Sequence, residues 1–256
     1  MSPLLAIALR DLNRLLRDPV RMASTFIFPF IFLVALGGSM QANVGGRLGY
    51  DFLAFTFTGI YAQTLFQSTA MGLISLIEDR ENNFSQAIFI APISRYTIVL
   101  GKLIGETLVA LPQGLAVVVF GLVLGVSMSP AQLVGLAVVG VLVSLFGGAF
   151  GLLVLSNLGS QRAAQQVFPF IILPQFFLAG VFNPIQVLPW YLEVFSRISP
   201  MRYAVDVARN VFYAGLPEYE SVVLAPFPIN AAVIGAAFAV FLVVGTVLFV
   251  RTERNR

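Results

Sequence analysis

Residues 131–158 read AQLVGLAVVGVLVSLFGGAFGLLVLSNL. The run carries no Asp, Glu, Lys or Arg, and it is continuously apolar rather than alternating. A helix that crosses about 30 Å of hydrocarbon needs roughly 20 apolar residues. The stretch therefore reads as a membrane-spanning helix, not as a strand of a membrane barrel. Five more stretches of the same kind lie around it, at about residues 20–40, 52–77, 98–126, 164–181 and 229–250. The first is long enough for about 31 Å of helix. The stretches at 52–77 and 98–126 are longer and are expected to tilt or to extend beyond the bilayer.

Composition agrees. The 256 residues are 58% hydrophobic and 11% charged, with mean hydropathy +0.91. A soluble domain of this size carries about 25% charged residues. The chain has no His, no Cys and a single Lys. It thus lacks an imidazole base, a thiolate nucleophile and a Cys/His zinc site. With no paired carboxylate deep in the spans either, an intramembrane enzyme is disfavoured. The excess of 15 basic over 12 acidic residues is too small to argue for nucleic acid.

That excess encodes orientation instead. With the N-terminal side taken as inside, 11 of the Arg/Lys residues fall inside and 4 fall outside. The bias places both termini in the cytoplasm. No cleavable signal peptide is expected, because the first apolar run is too long for one.

Three pieces do not span. Residues 1–19 form an amphipathic helix, with Leu5, Leu9, Leu12 and Leu16 on one stripe and Arg10, Arg14, Arg17 and Arg21 on another. Such a helix lies in the headgroup layer, as a topology anchor or as a contact surface for another subunit. Asp18-Pro19 ends it. Residues 78–95 lead from a charged cluster into Phe84, Ala87, Ile88 and Ala91, with Pro92 as a stop. They read either as a solvated loop or as a short docking helix for a partner's groove. Residues 182–228 are too apolar for a solvated loop and too broken by Pro for a span. They suit a re-entrant or interfacial element, with Trp190 and Tyr191 at the outer headgroup level. Arg202 and Asp206, four apart on one helix face, read as a local ion pair.

Two segments then carry a resemblance. One is Arg80-Glu81-Asn82-Asn83-Phe84 through Thr97, with Ala91-Pro92-Ile93-Ser94-Arg95 and Leu100-Gly101-Lys102. The other is Leu178-Ala179-Gly180-Val181-Phe182-Asn183-Pro184, then Leu188-Pro189-Trp190, then Ile198-Ser199-Pro200-Met201-Arg202-Tyr203-Ala204-Val205-Asp206. Together with the number and order of spans, they resemble the membrane subunits of type-2 ATP-binding-cassette (ABC) exporters. Asn83-Phe84 stands where that family commonly has Gly-Thr, and Asn tolerates the left-handed backbone that Gly provides.

The resemblance implies an all-α polytopic membrane protein. It would have six transmembrane helices, an N-terminal interfacial connecting helix over 1–19 and a re-entrant element between the fifth and sixth spans. It also implies a dimer with a second permease subunit, identical or not, above two copies of an ABC ATPase subunit in the cell membrane. Residues 78–95 would be the coupling loop, carried by Glu78, Arg80, Glu81, Phe84, Ile88, Pro92 and Arg95. Phe182, Pro184, Pro189 and Trp190 would belong to a gate near the outer exit.

No cofactor is expected in this chain; ATP and magnesium would sit in the partner. The chain has no GxxxxGK[ST] loop, since Tyr96 occupies the place of the first Gly ahead of Gly101-Lys102. The other partners are membrane lipids, and no nucleic acid is expected. Thr56, Gln63, Gln67, Gln113 and Gln175 are the candidate path residues. Polar groups inside spans line a cavity or hydrogen-bond between helices. Lys102 and Glu106, also four apart, read as a snorkelling pair or as a gating latch. The 24 Phe could line an apolar passage or face lipid. The scarcity of charge in the spans favours an apolar or amphiphilic cargo: a drug, a lipid or a lipid-linked glycan. A secondary transporter or a non-transporting scaffold is the alternative.

Overall fold

The computed structural model describes residues 3–17, 26–27, 29–44, 49–81 and 94–254. The described residues are helical, with no strand among them. In chain order, α1 is Pro3–Leu16. Helix α2 covers 29–44 and contains a π-helical stretch, Leu33–Gly38. Helix α3 is Phe52–Gly72 and α4 is Ile74–Glu81. Helices α5 (Arg95–Val123), α6 (Pro130–Leu155) and α7 (Gln161–Leu178) follow. A short 3-10 turn at Ile185–Val187 precedes α8 (Trp190–Ile198) and α9 (Pro200–Phe212). The chain ends in α10 (Tyr219–Val222) and α11 (Phe227–Arg254).

Local chemistry sets the ends. Ser94, Ser129 and Ser160 cap α5, α6 and α7 by accepting from the backbone N–H of Thr97, Gln132 and Ala163. Each satisfies a donor that the first helical turn leaves open. Helices α5 and α7 both stop at a left-handed glycine, Gly125 (φ 97°) and Gly180 (φ 74°). In each, the next residue's N–H turns back onto the helix: Val126 to Gly121 O at 2.9 Å, and Val181 to Phe176 O at 3.4 Å. A side chain would strain that backbone. These caps explain why α5, α6 and α7 start one to three residues before the apolar runs do.

Among the described residues, three helical stretches are long and apolar enough to cross a membrane: Tyr96–Val123, Pro130–Leu155 and Tyr219–Thr252. Helix α3 belongs to a different class. It is buried without a break from Ala54 to Phe66, so protein rather than lipid surrounds it there, and it can carry Thr and Gln. The expected second span is also not one helix, because a turn at Leu73 separates α3 from α4.

The core forms around α3, which packs against α5, α6 and α9. The seam with α6 is the closest. A Cβ on Gly147 would lie 2.3 Å from Phe66 O, and one on Gly151 would lie 2.4 Å from Ala70 O. Phe66 meets Phe146 and Phe150, with ring centroids 5.7 and 5.4 Å apart. Many of the phenylalanines are thus core, including Phe55, Phe57, Phe66, Phe146 and Phe168, while Phe170 and Phe177 face outward.

Gly151→Val is expected to force α3 and α6 apart and to destabilise the fold by about 1–3 kcal/mol or more. Gly235→Ala, which meets nothing within 4 Å, is expected to be neutral or mildly stabilising. Thermal unfolding of both variants in detergent checks the contrast.

Candidate functional site

Charged side chains gather where α1, α4 and α5 meet. Ala8 of α1 packs against Gly105 of α5, where a Cβ would lie 3.0 Å from Ala8 Cα. That contact buries Ala8, Asp11 and Leu15. The packing face of α1 is therefore displaced from the leucine stripe, since Leu9 and Leu12 stay half-buried. Asp11 then lies 2.9 Å from the Nζ of Lys102, and Glu106 lies 3.7 Å from it.

All three side chains are at most 4% exposed, so Lys102 does not snorkel. An ion pair inside protein meets its carboxylates directly, because water is out of reach. The hydroxyl of Ser75 on α4 donates to Glu106 at 3.2 Å. A Cβ on Gly72 would strike the same carboxylate. Nearby, Arg14 of α1 donates to Glu78 of α4 at 2.7 Å. Asp11 is the member that sequence reading missed. Its signal was an acid three residues after Ala8 and four before Leu15, on what proves to be the buried face.

Of the expected coupling residues, Glu78 thus sits in this cluster. Arg80 and Glu81 are in α4, and Arg95 is the first residue of α5. Phe84, Ile88 and Pro92 lie outside the described residues.

Above the cluster is a cavity of about 480 Å³. Gln63 and Gln67 of α3, Gln113 of α5, and Gln161 and Gln165 of α7 line it, with Ser68 beside them. Three of the five path candidates therefore converge. Gln63 donates to Gln67 at 3.4 Å, and Gln113 donates to the carbonyl of Val109 at 3.4 Å.

The other two candidates do not join them. Thr56 is fully buried in the core. Gln175 of α7 pins the start of α9, since its carboxamide oxygen accepts from Ser199 Oγ at 3.3 Å and from Met201 N at 3.4 Å. The hydroxyls of Thr58 and Thr69 are satisfied by carbonyls of their own helix, a bond that Thr commonly makes there.

The α8–α9 region is held by two buried charges. Arg209 donates to the carbonyl of Gly180 at 2.7 Å and lies 3.7 Å above the Phe55 ring. The turn it holds is pressed on α3, where a Cβ on Gly59 would lie 2.7 Å from Val181 O. Asp206 does not pair with Arg202. Its oxygens accept from the N–H groups of Leu224 and Ala225, both at 2.9 Å, and from Asn230 at 2.7 Å. The two backbone donors lie just ahead of α11, where an unmet N–H is costly, and Asn230 lies in its first turn. Arg202 instead donates to Ser196 at 2.9 Å. Burial pushes the Asp206 carboxyl up, and the bonds from Leu224, Asn230 and Ala225 pull it back.

The gate candidates lie around this region. Phe182 stacks on Phe32 at 5.5 Å. Pro184 precedes the 3-10 turn, and Pro189 caps α8. Trp190 is 78% exposed, on an apolar face shared with Val194 and Ile198.

The family described as ABC-2 type transporter matches residues 3–213. The chain is 23% identical over 216 residues to the transport permease ycf38 of Cyanophora paradoxa, covering 83% of this chain and 74% of that one. It is 26% identical over 189 residues to nodulation protein J of Rhizobium meliloti, covering 72% and 70%. It is 25% identical over 149 residues to the multidrug ABC transporter permease YbhR of Escherichia coli, covering 54% and 38%.

Lys102→Met leaves two buried carboxylates facing each other and is expected to cost about 3–5 kcal/mol. Adding Asp11→Asn and Glu106→Gln is expected to recover most of that loss. Denaturant unfolding of the single and triple variants in detergent measures both.

Proposed function

The chain belongs to the ABC-2 type transporter family, and from that premise we propose that it forms half of a dimeric export path driven by two ABC ATPase subunits. In this reading six helices span the membrane: α2, α3 with α4, α5, α6, α7 and α11. Both termini are cytoplasmic, as the distribution of Arg and Lys favours. The α8–α9 region is the re-entrant element near the outer exit. The apolar face of α8, with Trp190, Val194 and Ile198 exposed, meets the interfacial layer, where Trp is at home.

The carrying observation is the charge cluster. Helices α4 and α5 flank residues 82–93, and α1 is bound to both, by Arg14–Glu78 and by Asp11–Lys102. A push on the loop from the ATPase therefore moves three helices as one lever. The lever acts on the cavity, because α4 joins α3 at the Leu73 turn and Gln67 and Met71 lie just before it. The spans then switch between two packings, and a cargo that prefers one of them is carried outward. The work comes from the partner, since this chain has no phosphate loop. The cargo in this reading is apolar or amphiphilic.

Purification with its ATPase subunit tests the proposal. Glu81→Ala and Arg95→Ala are expected to weaken that association and to reduce cargo-stimulated ATP hydrolysis about tenfold, the loss of roughly 1.4 kcal/mol of coupling. Intact assembly and undiminished export in both variants would overturn it.

A further inference from the structure

We infer that the glutamine-lined cavity is a loading site for a neutral, hydroxyl-rich headgroup. This deepens the export reading above and rests on it for the direction of movement. The volume, about 480 Å³, falls in the range of ligand pockets. The wall chemistry selects among ligands. Each carboxamide offers two donors and an oxygen with two acceptor sites. Gln63 and Gln113 are only 3% and 7% exposed. Among the described residues each donates one bond, and both bonds are long, at 3.4 Å. Their carboxamide oxygens accept nothing from the described protein. Those free amide atoms open on the cavity, where a ligand dense in hydroxyls supplies both donors and acceptors.

Other ligand classes fit the wall poorly. Among the described residues no Arg or Lys lines the cavity to meet an anion. The carboxylate on its wall, Glu78, is already covered by Arg14 at 2.7 Å. Among the described residues no aromatic side chain lines it, so a cation finds no ring face there. A flat apolar molecule likewise finds no ring to stack on. Pro29, Met71 and Ile74 form a small apolar edge, enough for the first carbons of an alkyl tail. The site runs from Gln63 of α3 to Glu78 of α4. With the N-terminus inside, that is the half of the bundle nearer the cytoplasm, where an exporter takes up its load.

The test uses the full chain in lipid nanodiscs. Three photoreactive probes share a dodecyl tail bearing a diazirine and differ in headgroup: maltoside, trimethylammonium and sulfate. Mass spectrometry maps the labelled peptides. The maltoside probe is expected to label residues 63–75 and 161–165 at least tenfold more than either charged probe. Gln63→Leu with Gln113→Leu is expected to lower that labelling about tenfold, the effect of one or two hydrogen bonds. Gln165→Leu, at an exposed position, is expected to lower it less and guards against a folding defect in the double variant. Competition by free maltose, compared with unlabelled dodecyl maltoside, separates a free sugar from a lipid-borne one.

Equal labelling by all three probes, or labelling unmoved by every variant, overturns the inference. ATPase assembly is read separately. A chain that labels selectively but binds no ATPase refutes the export reading and leaves the site. A chain that couples to ATPase but labels without preference refutes the site alone.

Discussion

The fold depends on how closely α3 and α6 approach each other. Gly147 and Gly151 stand one helical turn apart and face the carbonyls of Phe66 and Ala70 at distances no side chain could share. In lipid, apolar contact gives little drive for helices to associate, since lipid tails are as apolar as leucine. Close approach of backbones through small residues is what holds such helices together. The seam keeps α3 inside the bundle, and everything polar on α3 follows from that. Thr58 and Thr69 turn onto their own helix, and Gln63 and Gln67 open into the cavity.

The buried charges obey a second constraint. A charge without water needs partners at close range. Lys102 has two carboxylates, and Arg209 has carbonyls and the face of Phe55. Asp206 has two backbone N–H groups and a carboxamide. Each joins segments that are far apart in the chain: α1 to α5, the Gly180 turn to α9, and α9 to the approach of α11. One set fastens the end of the bundle where α4 leads into residues 82–93, and the other fastens the opposite end. The cavity lies between them and borders the α3–α4 turn, the route by which the proposed coupling would reach it.

Much of this was legible in the sequence, because apolar runs and helix-ending residues act locally. The six stretches, the helical class and the family resemblance came from hydropathy, from Pro and from the motifs at 80–102 and 178–206. The placing of the caps at Ser94, Ser129 and Ser160 shifted helix starts by a few residues without changing any element's type. The polar residues of the spans were also visible, and three of them, Gln63, Gln67 and Gln113, do meet.

Partner choice was not legible. By spacing alone, Lys102 belongs with Glu106 and Asp206 with Arg202, since four residues make one helical turn. Tertiary packing gave Lys102 the nearer carboxylate of Asp11 from another helix, and gave Asp206 the N–H groups of Leu224 and Ala225. Sequence sets which face of a helix is apolar and where the helix stops, because both depend on near neighbours. Which buried polar groups meet depends on how helices distant in the chain are brought together, and here glycine contacts such as Gly105 against Ala8 and Gly147 against Phe66 decided it.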